Sequence, residues 1–101
     1  MKYKFRQHKR KVDGITFDGS HIYFTTIFRN THGQDLLPGS RLSVDFDADA
    51  LAIRIQKDKD GQQIFPQWHP IIYCPLPIKK GIYITMKASR GAWIFVYRGD
   101  N

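Results

Sequence analysis

Six of the first eleven residues are cations (Lys2, Lys4, Arg6, Lys9, Arg10 and Lys11), and no acid stands among them. Tyr3, Phe5 and His8 are interleaved with these charges. Cations at this density neutralise phosphates and release their counterions, and rings between them stack on bases or sugars. The pattern therefore suits an arm that contacts nucleic acid. It also suits a first strand with Tyr3 and Phe5 on a core and the cations in water. Lys79, Lys80, Lys87 and Arg90 extend the basic set near the other end of the chain.

Other clusters offer less chemistry. Asp45, Asp47 and Asp49 alternate like the opening of an EF-hand loop, but that loop needs a glycine at its sixth position and a glutamate at its twelfth. The chain has Ala50 and Gln56 there, so an acidic hairpin tip in water is the reading. His8, His21, His32 and His69 show no helical i, i+4 pair and no neighbouring cysteine pair, so no zinc signature exists. Cys74, the single cysteine, sits in "IIYCPLP" and reads as a buried thiol, which agrees with a reducing compartment. No nucleophile elbow or phosphate loop is present, so the expectation is a non-enzymatic protein without metal or cofactor.

Aromatic residues carry two meanings. The row Trp93, Phe95, Tyr97 resembles a base-stacking platform, yet such rows more often form a core; Tyr83 and Tyr97 are the better stacking candidates. Trp68, Tyr73 and Trp93 are the candidates for contacts with a protein partner.

A chain of 101 residues is one domain, residues 1–101, with a single core, and dimerisation is a natural way to bury more surface. The net charge of +7 is uneven: +6 over residues 1–11, −3 over 12–70 and +4 over 71–101. All nine acids are aspartate, which weighs against long surface helices, because Asp prefers caps and turns. No apolar run approaches the roughly 20 residues of a membrane span. The basic N-terminus has no apolar stretch behind it, so a cytoplasmic location and no membrane partner are expected.

Period-two alternation dominates. "HIYFTTIF" places Ile22, Phe24 and Phe28 on one face with Thr26. "RLSVDFD" turns Leu42, Val44 and Phe46 inward, and "LAIRIQ" does the same with Leu51, Ile53 and Ile55, giving an antiparallel hairpin. Residues 57–63 read as a loop turning at Asp60-Gly61. Residues 64–81 hold four of the five prolines, which confines them to edge strands or extended crossing structure. "GIYITMKAS" and "AWIFVYR" form a final hairpin about Gly91, whose register stays open: the Trp93 row lies beside Ile84 and Met86, or beside Tyr83 and Thr85. The one helical turn, "IFRNTH", is capped by Thr25 or Thr26 and stopped by a left-handed Gly33. The fold expected is mainly β, a small antiparallel barrel or roll with one short helical turn.

Phe28, Arg29, Thr31 and Gly33, followed by Leu37-Pro38-Gly39-Ser40-Arg41-Leu42 and the hairpin Val44 to Ile55, resemble the AbrB-like family of swapped-hairpin barrel proteins. "RKVD" at 10–13 resembles the start of such domains, so the likeness covers about residues 10–56. It departs at Thr25, where the family has proline, at Asn30 and His32, where it has arginine and leucine, and in the wider spacing of Gly33 and Gly39. The fold is then an AbrB-like half-barrel plus a C-terminal β-hairpin, residues 64–101 having no counterpart in the small family members, and the resemblance implies a homodimer with interleaved hairpins. It also implies DNA binding through Arg29 with Arg10 and Lys11 beside it.

Two functions follow as expectations. The first is a small nucleic-acid-binding protein, for DNA in preference to RNA, of regulator or antitoxin-like type, working through the arm, Arg29, Lys79, Lys80, Lys87 and Arg90. The second is a phage or mobile-element accessory protein that docks on and inhibits a host protein or nucleoprotein, for example an anti-CRISPR-type inhibitor.

Overall fold

The computed structural model describes residues 12–37, 39–63 and 71–99. The basic arm, Pro38, Trp68 and His69 lie outside the described residues. Eight strands are present in these segments: β1 (Gly14–Phe17), β2 (His21–Phe24), β3 (Arg41–Asp47), β4 (Ala52–Lys57), β5 (Gln62–Gln63), β6 (Ile71–Tyr73), β7 (Gly81–Ser89) and β8 (Ala92–Gly99). One helix, α1 (Thr26–His32), runs into a 3-10 turn over Gly33–Leu36. The protein is mainly β, as its alternating pattern predicts.

All strand pairs are antiparallel, in one sheet of order β5-β3-β4-β8-β7-β1-β2-β6. The β7–β8 hairpin thus lies between β4 and β1. Its register places Tyr83 opposite Tyr97 and Thr85 opposite Phe95, with an irregularity between Thr85 and Lys87 that leaves Met86 63% exposed. Gly91 has φ +72° and makes the turn between these two strands, as expected. The sheet curls so that a side chain bridges its two edges: the Gln62 side-chain Nε2 on β5 donates to the Tyr73 carbonyl on β6 across 2.8 Å.

The concave face holds the core, in which Ile15, Phe17, Ile22, Phe24, Leu42, Ile53, Ile55, Ile72, Tyr83, Trp93 and Phe95 are all buried. Helix α1 closes that face. Its Phe28 is fully buried, with ring centroids 5.3 Å from Phe24, 5.3 Å from Trp93 and 5.4 Å from Phe95. A short helix has little stability of its own, so this burial and its cap hold it in place. Thr25 is that cap: its Oγ1 accepts from the Phe28 N–H at 3.2 Å and from the Gly14 N–H at 3.1 Å, tying the helix start to β1.

Several local expectations are corrected. "HIYFTTIF" is not one strand, because β2 ends at Phe24 and Thr25 caps α1. Gly33 does not end the helix in the left-handed region; its φ is −59° and the chain continues for another turn. That turn buries Leu36 and brings Asp35 to Lys57. Phe46 does not face a covered core but is 40% exposed; on its outer side β3 is paired only at Arg41 and Leu42, with β5, among the described residues. Residues 62–63 are not loop; they pair with Arg41 and Leu42. The Pro-rich segment does supply an edge strand, β6. The edge of β4 away from β3 pairs with β8.

Candidate nucleic-acid interface

The sheet has two rims with different charge. At one lie the start of β3, the end of β4, the β7–β8 turn and the start of α1. The register sets this rim: Leu42 pairs with Lys57, the Asp58 N–H donates to the Arg41 carbonyl, and the Lys57 N–H donates to the Gly91 carbonyl at 2.7 Å. Arg29, Arg41, Lys57, Lys59, Lys87 and Arg90 all belong to it. At the other rim stand Asp18, Asp45, Asp47 and Asp49 together with Arg54, Lys79, Lys80 and Arg98.

The first rim also carries four acids, Asp13, Asp35, Asp58 and Asp60, of which Asp35 alone is in an ion pair among the described residues. Asp35 pairs with Lys57 at 3.3 Å, Asp13 accepts from the Thr85 hydroxyl at 3.1 Å, and Asp58 accepts the Asp60 N–H at 2.9 Å. Arg29, Arg41, Lys59, Lys87 and Arg90 make no ion pair among the described residues. Arg29 is oriented by its own neighbours: Nε donates to the Phe24 carbonyl at 3.3 Å and Nη2 to Thr26 Oγ1 at 3.1 Å. The described chain begins beside this rim, since the Thr85 N–H donates to the Asp13 carbonyl at 2.8 Å, two residues from Lys87. The arm that carries Lys4, Arg6, Lys9, Arg10 and Lys11 precedes that point.

The predicted basic set does not form one patch. Lys79 and Lys80 precede β7, whereas Lys87 and Arg90 lie at its far end, about 25 Å away at roughly 3.3 Å per residue. Lys79 instead sits 5.3 Å above the Tyr97 ring, and Lys80 packs its stem beside Gly19. Arg41, Lys57 and Lys59 were missed by sequence reading, because a strand end and a polar loop carry no visible partner until the register joins them.

The aromatic expectations divide. Trp93 is not a surface contact: it is 1% exposed and packs edge-on against Phe28 and His32. Its indole Nε1 is buried with no hydrogen-bond partner among the described residues. Tyr83 is not a stacking residue either, being fully buried with its hydroxyl donated to the Lys79 carbonyl. Burial, reinforced by Tyr97, pushes its phenol up to about 12. Tyr73 does lie at the surface, 49% exposed, with the His21 ring edge-on at 5.2 Å and Tyr23 one ring further along.

Asp18 organises the β1–β2 turn. Its carboxylate accepts from the backbone N–H groups of Ser20 at 3.0 Å and His21 at 2.7 Å and from the Tyr23 hydroxyl at 3.1 Å. These bonds, the backbone ones foremost, hold its carboxyl down at about 2. Cys74 is half-buried, and loss of solvent pushes its thiol up, away from nucleophilic use. Among the described residues no group of three His, Cys, Asp or Glu could hold a metal ion, and no helix is long and apolar enough to cross a membrane. Set against protein-family models, curated proteins and solved structures, the chain has no match.

Proposed function

We propose that this chain is a non-enzymatic, cytoplasmic nucleic-acid-binding protein whose working surface is the basic rim together with the N-terminal arm. The observation that carries the reading is the rim at which the described chain begins. Asp13 is bonded to Thr85, two residues from Lys87, at the rim that holds Arg29, Lys87 and Arg90 without acidic partners among the described residues, and the six cations of the arm precede Asp13 in the sequence. Phosphate contacts of this kind supply affinity that falls steeply with salt. The finer form, a DNA-binding regulator or antitoxin-like protein acting as a homodimer, rests on the resemblance of Phe28–Gly33 and residues 37–55 to the AbrB-like family.

The test is fluorescence anisotropy against short duplex DNA, single-stranded DNA and RNA over a range of salt. For duplex DNA each lost phosphate contact lowers the slope of log K against log salt by about 0.9. Alanine at Lys87 and Arg90 is expected to lower it by about 2, and alanine at Lys9, Arg10 and Lys11 by about 3, whatever the base sequence. Alanine at Lys79 and Lys80 is expected to leave it unchanged. No binding at low salt overturns the proposal.

A second reading, docking on a host protein or nucleoprotein, is favoured by one observation: Tyr73, Tyr23 and His21 form an exposed aromatic patch at the β2–β6 edge. Exposed tyrosines are frequent anchors of protein interfaces. Pull-down with Tyr73→Ala against the native protein reads it directly.

A further inference from the structure

The β3–β4 register decides which way the backbone of β3 points. The Asp58 N–H donates to the Arg41 carbonyl, and Leu42 stands opposite Lys57. In an antiparallel pair bonded and non-bonded rungs alternate, so Arg41, Ser43, Asp45 and Asp47 turn their N–H and C=O groups to β4, while Leu42, Val44 and Phe46 turn theirs outward. The Lys57 N–H, which reaches away from β3 to the Gly91 carbonyl, fixes the same alternation from the other side. Leu42 is taken up by β5, opposite Gln62. Val44 and Phe46 keep their backbone groups at an open edge, without a partner among the described residues.

The side chains along this edge alternate as well. Val44 is half-buried against the core, and Phe46 beyond it is 40% exposed, both on the concave face. Asp45 and Asp47 project from the convex face, beside an open cleft of about 400 Å³ whose lining includes Ala52 and Ile94. Arg54 on β4 holds one oxygen of Asp45 at 2.6 Å, and Asp47 accepts from the N–H groups of Asp49 and Ala50. Residues 42–56 carry Asp45, Asp47 and Asp49 against that single cation, and Arg98 stands beyond β4, on β8.

Unpaired backbone groups beside an exposed ring are matched by an added strand. A second copy paired antiparallel meets its own charge there. Val44 opposite Phe46 sets Asp45 against Asp45, and Phe46 opposite Phe46 sets Asp45 against Asp47; like charges directly opposite destabilise a sheet. Val44 opposite Val44 sends Phe46 to Leu42, a place that β5 holds. We infer that the outer edge of β3, Ser43–Asp47, accepts an extended segment of another protein in which cationic and apolar residues alternate. Its cations meet Asp45 and Asp47 on the convex face, and its apolar side chains cover Val44 and Phe46 on the concave one. This surface goes beyond the nucleic-acid reading and does not depend on it.

The experiment uses the full chain and an end-capped peptide, Thr-Lys-Phe-Lys-Val-Lys-Thr, followed by NMR amide shifts and hydrogen exchange. In the free protein the Val44 and Phe46 amides are expected to exchange without protection at every protein concentration. The peptide is expected to protect both and to shift residues 43–47. N-methylation at its Phe and Val keeps the charge but removes two donors to the edge, and is expected to weaken binding at least about tenfold. Asp45→Asn with Asp47→Asn retains a side-chain acceptor for the turn and is expected to weaken binding about tenfold at low salt. The inference falls if the N-methylated peptide binds as well as its parent, since the contact is then charge alone, or if no peptide shift centres on β3. It falls equally if the two amides are protected without peptide: protection at all concentrations means that the chain fills its own edge, and protection that rises with concentration means that a second copy does.

Discussion

An alanine at Gly14 would place its Cβ 2.9 Å from the Ile84 Cα and closer still to the Tyr83 carbonyl oxygen, both backbone atoms of β7. Ordinary contact starts near 3.4 Å, so the strand must withdraw by at least about 0.5 Å, and further along the carbonyl direction. A backbone hydrogen bond at its usual length does not survive such a shift with good geometry. Three bonds converge here: the Gly14 N–H to Thr25 Oγ1, the Thr25 N–H to the Gly14 carbonyl, and the Thr85 N–H to the Asp13 carbonyl. At about 1 kcal/mol each their loss costs about 3 kcal/mol, a large part of the roughly 5–15 kcal/mol that holds a domain folded. With a urea m value of about 1–3 kcal/mol/M, the unfolding midpoint falls by about 1–3 M. Gly33→Ala is the matched control: its φ is −59° and an added Cβ meets nothing within 4 Å, so stability is expected to hold or rise by about 0.5–1 kcal/mol. Equal midpoints for Gly14→Ala and the native protein would refute the reasoning, since a tolerated Cβ means that β1 and β7 are not in this register.

Phe28→Ala empties the space between Phe24, Trp93 and Phe95 and is expected to cost about 3–5 kcal/mol in urea unfolding, with α1 losing its attachment. The depressed Asp18 carboxyl contributes stability that is present above its ordinary value of 3.8 and is lost as pH falls towards about 2. Acid unfolding of Asp18→Asn should therefore be flatter across that window than that of the native protein. The thiol of Cys74, raised by burial, should react with iodoacetamide more slowly in the folded protein than in urea at the same pH, as read by mass spectrometry.

Alternation made the β3–β4 hairpin and the β7–β8 hairpin legible, because a strand with one buried face writes its period into the residue types. Thr25 was legible as a cap for the same local reason. What depends on distant pairing was not. Gly14 looks like an ordinary loop glycine until Tyr83 is known to lie against it, and "GITF" is too short to stand out as a strand. Gly33 looked like a helix stop because the pull of Leu36 towards the core is a tertiary effect. At the candidate site, the arm and the pairs Lys87/Arg90 and Lys79/Lys80 could be seen as charges, but whether two lysine pairs share a surface is decided by strand length. That Arg41 and Lys59 share the rim with Lys87 and Arg90 had no local signature, since neither residue has a helical or alternating partner that marks it.

The place of β7 and β8 in the sheet has a consequence for synthesis. Gly14 must find Ile84, and Ile55 must find Trp93. While a ribosome is still making residues 64–80, β1–β2 and β3–β4 exist as two separate hairpins, each with an apolar face and an unpaired edge. Only when the β7–β8 hairpin has cleared the exit tunnel can it slide between them and join both. The nascent chain therefore carries open edges for most of its synthesis, which is when such edges attract other chains. A premature stop before β8 removes the centre of the sheet rather than its margin, so a truncated product would have no smaller fold to fall back on.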